Sequence, residues 1–275
     1  MKQVLIKLVG FYYNILSYLS KSHAAKGALY LFTKPRKGQI NELQSDFLGT
    51  AYQEELKFEK YPIMTYRWLG EGKTILLVHG WESNSARWKL LISKLKKKKY
   101  HIIALDAPAH GNSGSKTFNV LLYSEFINVV VKRFNPEIII GHSVGGMASV
   151  FFQHKYKIET IQKIILLGTP SEFTDVFKRY TDMLGYNQRM ILQLNTTIIE
   201  RFGDTPEQFS TAKYLETINS EGLIIHDEDD KIIPYQDALL IKNSFKNSKL
   251  ITTKGLGHAL NNETVTSYIY DFIEN

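Results

Sequence analysis

Gly141-His142-Ser143-Val144-Gly145-Gly146 directly follows the apolar run Glu137-Ile138-Ile139-Ile140. That run is short, apolar and rich in isoleucine, and it reads as a buried strand. Met147 to Lys155 reads as a helix. Residues 141–145 therefore place a G-x-S-x-G pattern at a strand-to-helix junction. A serine held in a strained conformation at so sharp a turn needs small neighbours two residues away on either side, so that strand and helix can approach. The helix begins just beyond Ser143, and its free N–H groups and positive dipole end face chemistry at the hydroxyl. A glycine-rich turn with an incidental serine is the alternative, and the strand-turn-helix setting counts against it.

Outward from this junction, short apolar runs alternate with helical patterns. Strands are predicted at 64–68, 74–78, 101–105, 163–167, 223–226 and 249–252, besides the run before the serine. Most are near-continuously apolar, as expected for strands covered on both faces. The expected fold class is α/β, with a mostly parallel central sheet, helices on both faces and a small helical lid. More than fifty residues separate Leu167 from Leu223, and they contain three helical patterns rather than a loop. The expected organisation is an N-terminal helical extension over residues 1–60, a core over 61–169 and 222–275, and a helical insertion over 170–221.

A serine hydroxyl needs a base to take its proton, and that base needs a carboxylate to orient it. In the chain order that goes with this turn, the acid and then the histidine follow the serine. Beyond residue 154 the histidines are His226, inside an apolar run, and His258, in a glycine-flanked loop after the last predicted strand. A loop at the carboxyl end of a strand suits a base, which favours His258. The acid should leave the preceding strand, where Asp227, Glu228, Asp229 and Asp230 stand in a row. The pattern by itself does not choose among them.

Composition narrows the remaining chemistry. The 275 residues include no cysteine, which excludes disulfides, thiol nucleophiles and thiolate metal sites. The same absence fits a reducing cytoplasm, the expected location. The histidines lack helical metal-ligand spacing, and no glycine-rich phosphate cradle follows a strand, so neither metal nor cofactor is expected. The net charge of +7 comes without a nucleic-acid-binding motif, and none is expected to bind. Lys94 to Lys99 reads as a solvated helix end. Near the N-terminus, Val4, Leu5, Leu8, Val9, Phe11, Tyr12, Ile15, Leu16 and Leu19 recur at helical spacing. Lys7 and Asn14 interrupt the stretch, so it is read as an amphipathic helix packed on the domain, with a membrane surface as the alternative.

The set resembles the α/β-hydrolase superfamily from about residue 74 onward. Asp227-Glu228-Asp229-Asp230-Lys231-Ile232-Ile233-Pro234 is similar to that family's acid loop, with Asp227 and Lys231 replacing its glycine and first proline. The resemblance makes Asp230 the catalytic acid and Asp227 the fallback. Leu77-Val78-His79-Gly80-Trp81 resembles the family's oxyanion loop, which implies that the backbone N–H groups of Trp81 and Val144 receive the developing negative charge. Asp106-Ala107-Pro108-Ala109-His110-Gly111-Asn112-Ser113-Gly114 resembles a structural loop beside the nucleophile, with alanine at one usual glycine. By this resemblance the catalytic set is Ser143, Asp230 and His258. The partner is a small-molecule acyl substrate, and the reaction is hydrolysis of modest-sized, fairly apolar carboxylic esters. Acyl transfer, thioester or amide cleavage, and ligand binding without catalysis are the alternatives on the same frame.

Overall fold

The alternating runs condense into an eight-stranded sheet in the order β1-β2-β4-β3-β5-β6-β7-β8. The structure, a computed structural model, describes residues 2–275. Helices α1 (Lys2–Leu19), α2 (Lys21–Thr33) and α3 (Glu42–Leu48) lead to strands β1 (Tyr52–Phe58), β2 (Tyr61–Trp68) and β3 (Thr74–Val78). Then come α4 (Lys89–Lys97), β4 (His101–Leu105), α5 (Val120–Phe134), β5 (Ile138–His142), α6 (Val144–Tyr156) and β6 (Lys163–Leu167). After α7 (Phe173–Leu184) and α8 (Gln188–Phe202) the chain continues through α9 (Thr211–Leu215), β7 (Glu221–Asp227), α10 (Tyr235–Ser244), β8 (Ser248–Thr253) and α11 (Glu263–Glu274). Strand β2 runs antiparallel to both its neighbours, and the strands from β4 to β8 are mutually parallel.

The continuous apolar character of the strands follows from two buried faces. Leu76, Val78, Ile139, Ile164 and Ile224 point into one layer with Phe126 and Val130 of α5, Phe152 of α6 and Ile241 of α10. Their chain neighbours Ile75, Leu77, Ile140, Ile165 and Ile225 point into the other, with Ile92 and Leu95 of α4 and Ile269 and Phe272 of α11. Strand residues alternate between faces, so a strand covered on both sides has no polar position to spare.

Strand β1 lies within the stretch expected to be helical. It is mostly polar, with Leu56 and Phe58 on its partly buried face, and pairs antiparallel with β2 at the sheet edge through a two-residue turn at Glu59 and Lys60. A half-exposed edge strand carries a weaker apolar signal than a central one.

The packing resolves into two units: Met1–Lys34 with Glu172–Ser210, and Pro35–Ser171 with Thr211–Asn275. The sheet belongs to the second. Of the segment expected as an insertion, α7 and α8 fall in the helical unit, while α9 joins the sheet unit, where Leu215 enters the core beside α5 and α6.

Within the helical unit, α1 meets α7 and α8 through its small and polar residues. A Cβ built on Gly10 would fall 1.8 Å from the carbonyl oxygen of Leu184. Asn14 donates to the Gly185 carbonyl at 2.9 Å and accepts from the Asn187 N–H at 2.9 Å, and Arg189 donates to the Ser17 carbonyl at 3.1 Å. Phe32 of α2 packs edge-on against Phe173 and Phe177, and Tyr13 against Tyr186. The helix expected to pack does so within the helical unit, but most of its apolar stripe does not turn inward. Val4, Leu5, Leu8, Phe11, Tyr12, Ile15 and Leu19 are exposed.

In the sheet unit the loop after β4 is anchored by a buried carboxylate. Asp106 accepts from the Ser85 N–H (2.9 Å) and hydroxyl (2.7 Å), the Tyr66 hydroxyl (3.0 Å) and the Asn112 N–H (2.9 Å). Ser113 is equally committed, donating to the Asp106 carbonyl at 2.7 Å and accepting from the Met64 N–H at 2.9 Å. Asp106→Ala leaves these buried donors without an acceptor and should destabilise the protein by on the order of 3 kcal/mol, read as a lowered urea midpoint.

Candidate active site

Ser143 sits between β5 and α6 with φ 54° and ψ −129°, a left-handed conformation costing about 1–3 kcal/mol for a non-glycine residue. Close packing holds it there. Its N–H donates to the Leu167 carbonyl at 2.8 Å, and its carbonyl accepts from the Gly146 N–H at 2.9 Å. A Cβ on Gly145 would fall 2.3 Å from the His79 carbonyl oxygen, and one on Gly141 would fall 2.5 Å from the Gly146 Cα. These glycines let the first turn of α6 press against the ends of β3 and β5.

The chain builds β4 on one side of β3 and β5 on the other, so the strand order reverses between β3 and β5. Ligand sites in open α/β sheets form outside the strand carboxyl ends at such a reversal. The loops after β3, β5, β7 and β8 carry Trp81, Ser143, Asp230 and His258.

His258 Nε2 lies 3.0 Å from Ser143 Oγ, and its Nδ1 lies 2.7 Å from Asp230 Oδ2. A carboxylate only accepts, so Nδ1 carries the proton and Nε2 is free to accept the serine hydroxyl. Asp230 also accepts from the N–H groups of Ile232 (2.8 Å) and Ile233 (2.9 Å). Burial by itself would raise its pKa. Hydrogen bonds from His226, His258 and these two amides outweigh that effect and hold the carboxyl well below the usual carboxylate range.

Asp227 meets different partners. It accepts from the Asp229 N–H (3.0 Å), the Thr253 hydroxyl (2.8 Å) and the Leu256 N–H (2.9 Å). It thus ties the acid loop to the loop bearing His258, while Asp230 alone of the two touches the ring. His226, the other histidine beyond residue 154, donates to the Ile233 carbonyl at 3.0 Å and stands 3.5 Å from Asp230 Oδ2, the oxygen that His258 also meets.

Sequence reasoning missed the part played by His142. Its Nε2 donates to the main-chain carbonyl of His258 at 2.9 Å, and the two rings lie 4.9 Å apart. Burial, then the charge of Arg87 and the neighbouring His258, push its pKa well down, so it holds the loop as a neutral donor. The available signal was its position beside Ser143 in the strand-end motif.

The loop after β3 abuts the serine: a Cβ on Gly80 would come within 2.9 Å of Ser143 Cβ. His79 fastens this loop, its Nδ1 donating to the Gly80 carbonyl at 2.8 Å and its Nε2 accepting from the Ala107 N–H at 2.9 Å. Burial lowers its pKa well below the ordinary histidine value, as the two bonds require of a neutral ring. Trp81 follows, with its ring edge-on to His110 and Phe118. Val144 is the first residue of α6.

The family described as alpha/beta hydrolase fold matches residues 73–190, which include the loops bearing Trp81 and Ser143. The chain has the α/β-hydrolase fold. A serine hydrolase-like protein of Danio rerio is 30% identical over 130 residues, 42% of this chain and 39% of that protein, so the match spans under half of that relative. An AB hydrolase superfamily protein of Bacillus subtilis (strain 168) is 21% identical over 79% of this chain and 97% of its own length. Among solved structures, an esterase from Exiguobacterium antarcticum superposes with a TM-score of 0.62 at 17% identity, covering 79% of this chain and 97% of that one.

The depressed pKa of Asp230 affects stability. A carboxyl lowered on folding contributes stability that is complete above its ordinary value of 3.8 and is lost as pH falls through the lower folded value. Asp230→Asn should therefore be less stable than the wild type at neutral pH, and the gap between their urea midpoints should begin to narrow only as pH falls below about 4.

Proposed function

We propose that the protein is a serine hydrolase that cleaves carboxylic esters of modest-sized, fairly apolar substrates through an acyl-enzyme. The observation that carries this reading is the unbroken hydrogen-bonded chain from Asp230 through His258 to Ser143. Ser143 Oγ attacks the ester carbonyl while His258 Nε2 takes its proton. The ionised Asp230 stabilises the imidazolium and keeps the ring turned toward the serine. The backbone N–H groups of Trp81 and Val144 receive the oxyanion, a contribution of about 3 kcal/mol each to the barrier. His258 then returns the proton to the departing alkoxide, and water repeats the sequence on the acyl-enzyme. The cysteine-free sequence suits a cytoplasmic enzyme.

The apolar preference for substrate rests on the apolar residues carried by the segment between β6 and β7. Turnover of p-nitrophenyl esters of increasing acyl length tests it, with activity expected to rise and then fall along the series. Ser143→Ala should lower turnover by about 10³-fold or more, and Asp230→Asn by about 10³- to 10⁴-fold. Turnover unchanged in Ser143→Ala would sink the mechanism. Failure of a fluorophosphonate probe to label Ser143 would instead identify a ligand-binding protein without an activated hydroxyl.

A further inference from the structure

The first helix is inverted with respect to its own unit. Gly10, Asn14 and Ser17 face α7 and α8, while the large apolar residues face outward, with Leu8 57%, Phe11 62% and Leu19 81% exposed. The outward positions recur every three or four residues along the helix, so they form one stripe. The apolar surface continues onto α7 across an open groove of ≈ 880 Å³, lined by Val4, Ile6, Leu8, Phe11, Met183 and Leu184. A stripe of this size on an ordinary domain surface marks a docking face.

The charge around it selects the occupant. Residues 1–41 contain six lysines and one arginine and no aspartate or glutamate. Lys21, Lys26 and Lys34, on or next to α2, are exposed. The acidic residues of the helical unit all lie on its second segment, Glu172–Ser210. Two copies of this basic segment facing each other across a symmetric interface would repel. An anionic lipid surface attracts them, and the aliphatic stripe studded with Phe11, Tyr12 and Tyr18 suits the boundary between headgroups and acyl chains. No helix among the described residues is long and apolar enough to cross a membrane. The helix can lie on a bilayer rather than span it.

We infer that the outward face of α1 docks the protein on anionic membrane surfaces, with the exposed Lys21, Lys26 and Lys34 drawing it to acidic headgroups. The inference is independent of the reaction at Ser143. Flotation of the full chain with vesicles tests it. Binding to vesicles mixing phosphatidylglycerol with phosphatidylcholine should exceed binding to phosphatidylcholine alone by about tenfold and weaken with salt. The double variant Leu8→Gln/Phe11→Gln should lose about tenfold or more of this binding. Lys21→Glu/Lys26→Glu should lose about tenfold on the anionic vesicles only. Because the altered side chains are exposed, thermal melting should match the wild type, and Ile15→Gln/Leu19→Gln replaces the first pair if it does not.

Any of four results overturns the inference. The first two are no binding to the anionic vesicles and equal binding to phosphatidylcholine alone. The third is unchanged binding by folded stripe variants. The fourth is a dimer in sedimentation equilibrium that the stripe variants dissociate, which would make a second copy the occupant.

Discussion

The close approach of α6 to the ends of β3 and β5 is the constraint on which the rest of the site depends. Ser143 can occupy its left-handed conformation because Gly141 and Gly145 leave no side chain between helix and strands. That approach sets the serine hydroxyl at the crevice where the strand order reverses, within reach of loops from strands far apart in the sequence. A side chain at Gly145 would push on the backbone of β3, and the turn would open with it.

Around the serine, buried polar groups are arranged so that each histidine has one task. His79 and His142 are kept neutral by burial; His79 spends both ring nitrogens on backbone groups and His142 its Nε2, which fastens the loops after β3 and β8. His226 stands beside Asp230, and Asp227 braces the loop that carries His258. The ring of His258 is the one that spans a carboxylate and a hydroxyl. Hydrogen bonds keep Asp230 ionised, so the imidazole has a fixed acceptor on one side.

The helical unit obeys a different logic. Its seam uses glycine, serine and asparagine beside Tyr13 because close backbone contact and hydrogen bonds to chain ends hold α1 in place, leaving most of its bulky residues outside. Periodicity identified the stripe on α1, but periodicity reports only that one face differs from the other. Which face turns inward is settled by what the neighbouring helices offer: here the free carbonyls and amides at the α7–α8 junction rather than an apolar groove.

The same division runs through the whole chain. The central strands were legible because double burial forces unbroken apolar runs, and the turn at Ser143 because only small residues permit it. The edge strand β1 was not, since partial exposure dilutes its pattern to one face. Sequence order and loop chemistry were enough to bring forward Ser143 and His258, which carry distinct local signals. Asp230 came forward over Asp227 only through resemblance to a longer loop pattern, and the parts played by His142 and His226 depended on contacts between loops separated by many residues. Local pattern determines which backbone a segment adopts, because burial and steric demand act residue by residue. Only the assembled tertiary structure decides which side chains meet, because those distances depend on how strands stack and where each loop turns.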